Sequence, residues 1–220
     1  MAVPASARRR SAADLAAGVL APVGFLGAYL VAAPLTSAAA DRDLPMPGAP
    51  AAEVAAYYAA NPFAVTLTAG LQAVSVICLA AFVGFLAPAL RALGAAWLPR
   101  VGYLAVAAML ASCLLSMTLS LVVTSAGDGV VRVLREANFY TGGVIHVVAL
   151  GVFVLGSSVL LGREHLFGAP TRWFGFVAGG IAVASVLSLT FYYASVALPV
   201  GRVLSMVWTI AAGIAVLRRK

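Results

Sequence analysis

Six stretches of this chain are apolar over about 20 residues, the length an α-helix needs to cross a hydrocarbon core. They run at 15–35, 64–87, 101–123, 141–161, 173–193 and 198–217 and, with short connections, use nearly all of the 220 residues. One formal charge, Arg202, and one histidine, His146, fall inside them. Hydrophobic residues make up 63% of the chain and charged residues 10%. Soluble domains carry roughly 45–50% and about 25%. A chain this apolar cannot hide its surface in one water-soluble core, and in lipid each backbone polar group must be satisfied within its own helix. The expected fold class is therefore all-α: a polytopic transmembrane bundle of six helices forming one domain over residues 1–220, with short surface helices in the two outer loops.

The loops orient the bundle. With the N-terminus inside, the inner side holds Arg8, Arg9, Arg10, Arg91, Arg100, Arg163, Arg172, Arg218, Arg219 and Lys220, ten basic residues. The outer side holds four, Arg42, Arg132, Arg135 and Arg202. This asymmetry follows the positive-inside rule and places both termini in the cytoplasm, in a cytoplasmic (inner) membrane. The net charge of +7 is thus a record of orientation, and nucleic acid is rejected as a partner. A cleaved signal is the competing reading of the first stretch, from Arg8–Arg10 through Ser37-Ala38-Ala39-Ala40. Its apolar run exceeds the roughly 7–15 residues of a signal core, which favours a retained span.

The outer loops carry structure of their own. In the first, Leu44-Pro45-Met46-Pro47-Gly48-Ala49-Pro50 leads into 51–60, which reads as a surface helix ended before Pro62. Tyr57 and Tyr58 suit the headgroup level. In the second, residues 128–138 read as a short surface helix capped by Asp128, with Arg132, Arg135 and Glu136 in water. Each loop ends in an asparagine, then an inward span, a basic loop and an outward span. That order suggests an internal repeat of the second and third helices in the fourth and fifth.

The chain resembles a family of uncharacterised six-helix membrane proteins of GC-rich bacteria, a domain of unknown function. The likeness is carried by Ala51-Ala52-Glu53-Val54-Ala55-Ala56-Tyr57-Tyr58 before a span and by Thr171-Arg172-Trp173-Phe174-Gly175 opening the fifth. It ends with Val207-Trp208 in a last span closed by Leu217-Arg218-Arg219. A bacterial source also fits 13 arginines against the single Lys220. The resemblance implies the six-span fold and brings no established activity or catalytic residues.

Small residues mark the expected helix contacts, because helices in lipid associate by close approach. Gly201, Ser205, Thr209 and Gly213 form a four-residue ladder on the sixth span, and Gly175 and Gly179 a GxxxG pair on the fifth. Polar residues, by contrast, concentrate in the outer halves of the spans. The expectation is a hydrated cavity open to the outside, shared by Gln72, Ser120, His146, Tyr192 and Arg202, with Asn138 at its edge. His146 is on its wall, five residues into its span and so about 7–8 Å below the boundary. An ionisable residue inside a span is a functional candidate, although a neutral imidazole bonded to a neighbouring helix is the plainer reading. A ligand there would be anionic or a hydrogen-bond acceptor.

No catalytic residue, cofactor or metal is assigned. Cys78 and Cys113 lie in apolar spans without metal-ligand spacing. His165 is about 28 Å from His146 along the helix direction, too far to share a haem. No paired carboxylates, phosphate loop, GxSxG or HExxH occurs. The expected function is binding, sensing or organising a partner. A small secondary transporter or channel is the alternative, and a membrane enzyme using His146 the third. The expected partners are membrane lipid and either a protein or a second copy of the chain.

Overall fold

A computed structural model describes residues 11–190 and 196–219. Among these the chain is all helix and loop. Six helices are long and apolar enough to cross a membrane: α1 (Ala12–Ala39), α3 (Pro62–Ala92), α4 (Trp97–Val122), α5 (Asp128–Arg163), α6 (Ala169–Leu189) and α7 (Ala197–Arg219). A short helix, α2 (Ala51–Ala60), precedes α3. The architecture is that of a multi-pass membrane protein. α1, α3, α4, α5 and α7 pack in a ring, each against the next, and α6 lies outside it against α5 and α7.

Glycines set how closely the ring closes. Gly18 of α1 meets the backbone of Gly213 on α7. A methyl added at Gly201 would stand 2.6 Å from the Cα of Ala182 on α6. The α7 ladder therefore serves two neighbours. Each four-residue step overshoots a turn by about 40°, so the small face winds from α6 at Gly201 to α1 at Gly213. Between them Ser205 and Thr209 have no exposed surface. Gly179 of α6 and Gly151 of α5 approach through their backbones, while Gly175 faces Ser158 and Trp208.

The end of the bundle that carries α2 differs from the opposite end. Toward the opposite end, Leu79, Phe82, Leu86, Leu98, Phe153 and Trp208 form a core with no exposed surface. Toward the α2 end, a second apolar cluster joins Val54, Tyr57 and Tyr58 to Val65, Leu119 and Val131. The two tyrosines are each only 2% exposed, so they pack into the bundle instead of facing outward.

One expectation about the loops is corrected. Residues 128–139 are not a separate surface helix; they are the first three turns of α5, which runs unbroken for 36 residues. The cause lies in the residue after each asparagine. Asn61 precedes Pro62, and its φ of −122° and ψ of 45° break the helix, as the clash of a proline ring with the preceding residue requires. Asn138 precedes Phe139, which imposes no such break. The suggested repeat diverges at this point. Asp128 also does not cap: Gly127 is the N-cap, and Asp128 sits in the first turn, where its charge favours the helix dipole.

This continuity resets the depth of His146. It lies 18 residues after Asp128, about 27 Å along α5. Its partner on α4, Ala105, is 17 residues from Val122 and eight from Trp97. His146 is therefore midway along α5, beside the part of α4 nearer Trp97, and not five residues from the start of its helix.

Candidate functional site

A cavity of about 550 Å³ lies within the ring toward the α2 end. α1 contributes Tyr29, Leu30, Ala33 and Thr36, and α3 contributes Thr68 and Gln72. Met109, Ser112 and Ser116 come from α4, Arg135 and Asn138 from α5, and Leu198 and Arg202 from α7. Tyr57, Tyr58 and residues 42–44 roof it.

A widened turn of α5 builds one wall. Over Tyr140–Ile145 the helix is π-helical, a form frequent at functional sites because it loosens the local carbonyls. Side chains take those carbonyls up. Thr141 Oγ1 donates to Ala137 O at 2.7 Å, Ser112 Oγ donates to Asn138 O at 3.1 Å, and Arg202 donates to Gly142 O. Small residues allow this approach, since a methyl on Gly142 would collide with Ser112.

Asn138 links two helices and an arginine. Its Nδ2 donates to Ser112 O at 2.8 Å and shares its other hydrogen between the hydroxyls of Ser112, 2.8 Å, and Ser116, 2.9 Å. Its Oδ1 accepts from Arg135 at 3.3 Å. Arg135 also donates to Pro45 O at 2.9 Å and so straps the Pro-rich segment over the cavity. It is thus a cavity residue and not a water-exposed one. A second tie holds α2. Asn61 Nδ2 donates to Asp41 Oδ1 at 2.6 Å, and Asp41 N donates to Asn61 Oδ1 at 2.8 Å. The hydrogen bond from Asn61, followed by the one from Arg42, holds the Asp41 carboxyl below its usual range.

Arg202 stands on the cavity floor. Its guanidinium lies over the Tyr29 ring, 5.4 Å from the centroid, and its Nε finds no hydrogen-bond partner among the described residues. Beneath it is a void of about 10 Å³ lined by Gln72, Ser75, Arg202 and His146, among others.

Of the residues the sequence brings together, Gln72, Asn138 and Arg202 line the large cavity. His146 does not. It has no exposed surface, and its Nδ1 is 2.8 Å from Ala105 O. The expectation of His146 on the wall is corrected to His146 below the floor, because the longer α5 carries it deeper. Ser120 is about one turn beyond Ser116 and is not among the lining residues. Tyr192 lies outside the described residues. Sequence reasoning missed Tyr29, Thr36, Ser112 and the cavity role of Arg135. The only available signal was Arg135 and Asn138 spaced three apart, one helical turn, which the break expected near Thr141 concealed. Comparison of the chain with protein-family models, curated proteins and solved structures returned no match.

Proposed function

We propose that this chain binds a small ligand from outside the cytoplasmic membrane, as a sensing or partner-organising component of a GC-rich bacterium rather than as an enzyme. The observation that carries the reading is a cavity placed toward the α2 end and backed, toward the opposite end, by the packed core around Phe82, Phe153 and Trp208. The basic residues favour the α2 end as the outer one, with both termini in the cytoplasm. Phe25 is fully buried, and its carbonyl accepts from Ser75 at 2.6 Å, which supports α1 as a retained span. His146, the group an enzyme would use, contributes no surface to the large cavity. Membrane lipid and a protein partner or second copy complete the reading.

Transport is the second reading. It is favoured by π-helical turns in two ring helices, at Ala16–Leu20 and Tyr140–Ile145, where a helix can shift register. Accessibility separates the two. Single cysteines at Gln72 and Ser116, in a background lacking Cys78 and Cys113, are challenged with a membrane-impermeant thiol reagent on either side. Labelling from outside alone is expected. Labelling from both sides would favour transport, which proteoliposome flux would then measure, and labelling from the cytoplasm alone would reverse the orientation.

A further inference from the structure

The cavity lining carries more positive charge than it balances. Its charged lining residues are Arg42, Asp43, Arg135 and Arg202, three cations and one anion. Arg42 pairs with Asp41 at 3.3 Å. Arg135 and Arg202 instead meet neutral groups, the carbonyls of Pro45 and Gly142, the amide oxygen of Asn138 and the Tyr29 side chain. Each leaves a buried Nε without a partner among the described residues. A cation at membrane depth without a counter-ion is costly. A carboxylate or phosphate matches a guanidinium geometrically and can bridge two of its hydrogens.

The rest of the lining is largely apolar, with Leu30, Ala33, Ala69, Met109 and Leu198 facing the same space. Its direction comes from how α1 and α7 meet. They touch at Gly18 and Gly213, and again at the cavity floor through Tyr29 and Arg202. Above that contact, Leu30 of α1 is 52% exposed, Pro199 of α7 is exposed, and both line the cavity. Among the described residues, the cavity is thus bounded between α1 and α7 by apolar side chains that are not packed away. A volume of about 550 Å³ lies within the range of about 300–1,000 Å³ typical of small-molecule sites.

Resting on the outward-facing cavity proposed above, we infer that the ligand is an anionic amphiphile with one head and one apolar body. Its carboxylate or phosphate binds Arg202, with Arg135 as the second cation, and its chain or ring system lies against Leu30, Ala33 and Leu198. Gln72, whose amide makes no hydrogen bond among the described residues, is placed to donate to the same head group. The head chemistry is common to a lipid of the outer leaflet and to a water-soluble fatty anion.

The test uses the full chain in phosphatidylcholine nanodiscs, with 11-(dansylamino)undecanoic acid as the fluorescent probe and its methyl ester as the uncharged control. The acid is expected to bind saturably, and the ester about 10–100-fold more weakly, the range of hydrogen bonds to a charged group. Arg202→Gln should weaken the acid by a similar factor and leave the ester unchanged. Equal binding of acid and ester, or acid binding unchanged in Arg202→Gln, overturns the inference. Should Arg202→Gln not fold, Ala33→Trp fills the apolar side without touching either arginine. It should cut acid binding at least tenfold, and retained binding overturns the assignment of the tail. If the acid fails to bind while a cysteine at Gln72 is labelled from outside, the amphiphile falls and the cavity reading stands. If that cysteine is protected as well, the cavity reading falls too. Competition by aqueous octanoate against oleoyl lysophosphatidate placed in the nanodisc distinguishes the sources. Displacement by either supports the shared chemistry and names the route, and displacement by neither refutes it.

Discussion

The Gly18–Gly213 approach between α1 and α7 makes a quantitative test, because the same substitution can be made where space is free. In Gly213→Ala the new methyl falls on the carbonyl group of Gly18. The obstacle is backbone, so no rotamer change relieves it and the helices must separate. Overpacking of this kind costs about 1–3 kcal/mol. Against it stands the helix-propensity gain of alanine over glycine, up to about 1 kcal/mol. Gly180→Ala on α6 receives the same gain, and nothing lies within 4 Å of its new methyl. The difference between the two variants therefore isolates the packing term. At about 2–4 °C per kcal/mol for a chain of this length, Gly213→Ala should melt about 2–12 °C below Gly180→Ala in the same detergent. Equal melting temperatures would show that α1 and α7 do not approach through these glycines, and the closed ring of helices would have to be abandoned.

Three further outcomes follow from the site. Asn138→Ala removes the amide that links Ser112, Ser116 and Arg135 and should lower stability by about 1–3 kcal/mol. Ser120→Ala, outside the cavity, should stay within about 0.5 kcal/mol, and a reversed order in thermal melts would contradict the α4–α5 register. A cysteine at His146 should resist an impermeant thiol reagent from both sides while one at Gln72 reacts from the α2 end; labelling at 146 would mean that the floor opens. The Asp41–Asn61 tie should be pH-dependent in one direction only. The folded carboxyl titrates below its ordinary value of 3.8, so its contribution is fully present above that value and is lost as pH falls through the lower folded value. Hydrogen exchange in Ala51–Ala60 should accordingly be unchanged between about pH 5 and 8 once corrected for intrinsic rates, and should rise at about pH 3. A rise near pH 6 would assign the tie to another group.

The chain's periodic and compositional features translated directly into structure wherever one helix could decide the matter. The span starts at 15, 64, 101, 173 and 198 each fall within about four residues of an observed helix start. The fourth, at 141, is 13 residues late. The reason is specific to 128–139: Arg132, Arg135, Glu136 and Asn138 make that segment look like a surface helix when read alone. In the bundle Arg135 bonds to Pro45, and Asn138 to Ser112 and Ser116, partners on other elements that no local window contains. The site expectations moved with this one boundary, because the depth of every residue on α5 is counted from it.

By itself the sequence determined the number of spans, the break at Pro62 and the small-residue ladder on α7. Each depends on the length, φ restriction or side-chain volume of consecutive residues, properties that act within a single helix. Only the tertiary structure decided that Arg202 and Arg135 share a cavity with Gln72 and Asn138, that Ser116 lines it while Ser120 does not, and that His146 lies sealed midway along α5. Those outcomes are set by register and rotation between helices. A four-residue step moves a side chain about 6 Å along the axis and about 40° around it. In lipid, where apolar burial gives helices little reason to prefer one rotation over another, close backbone approach and interhelical hydrogen bonds choose the arrangement.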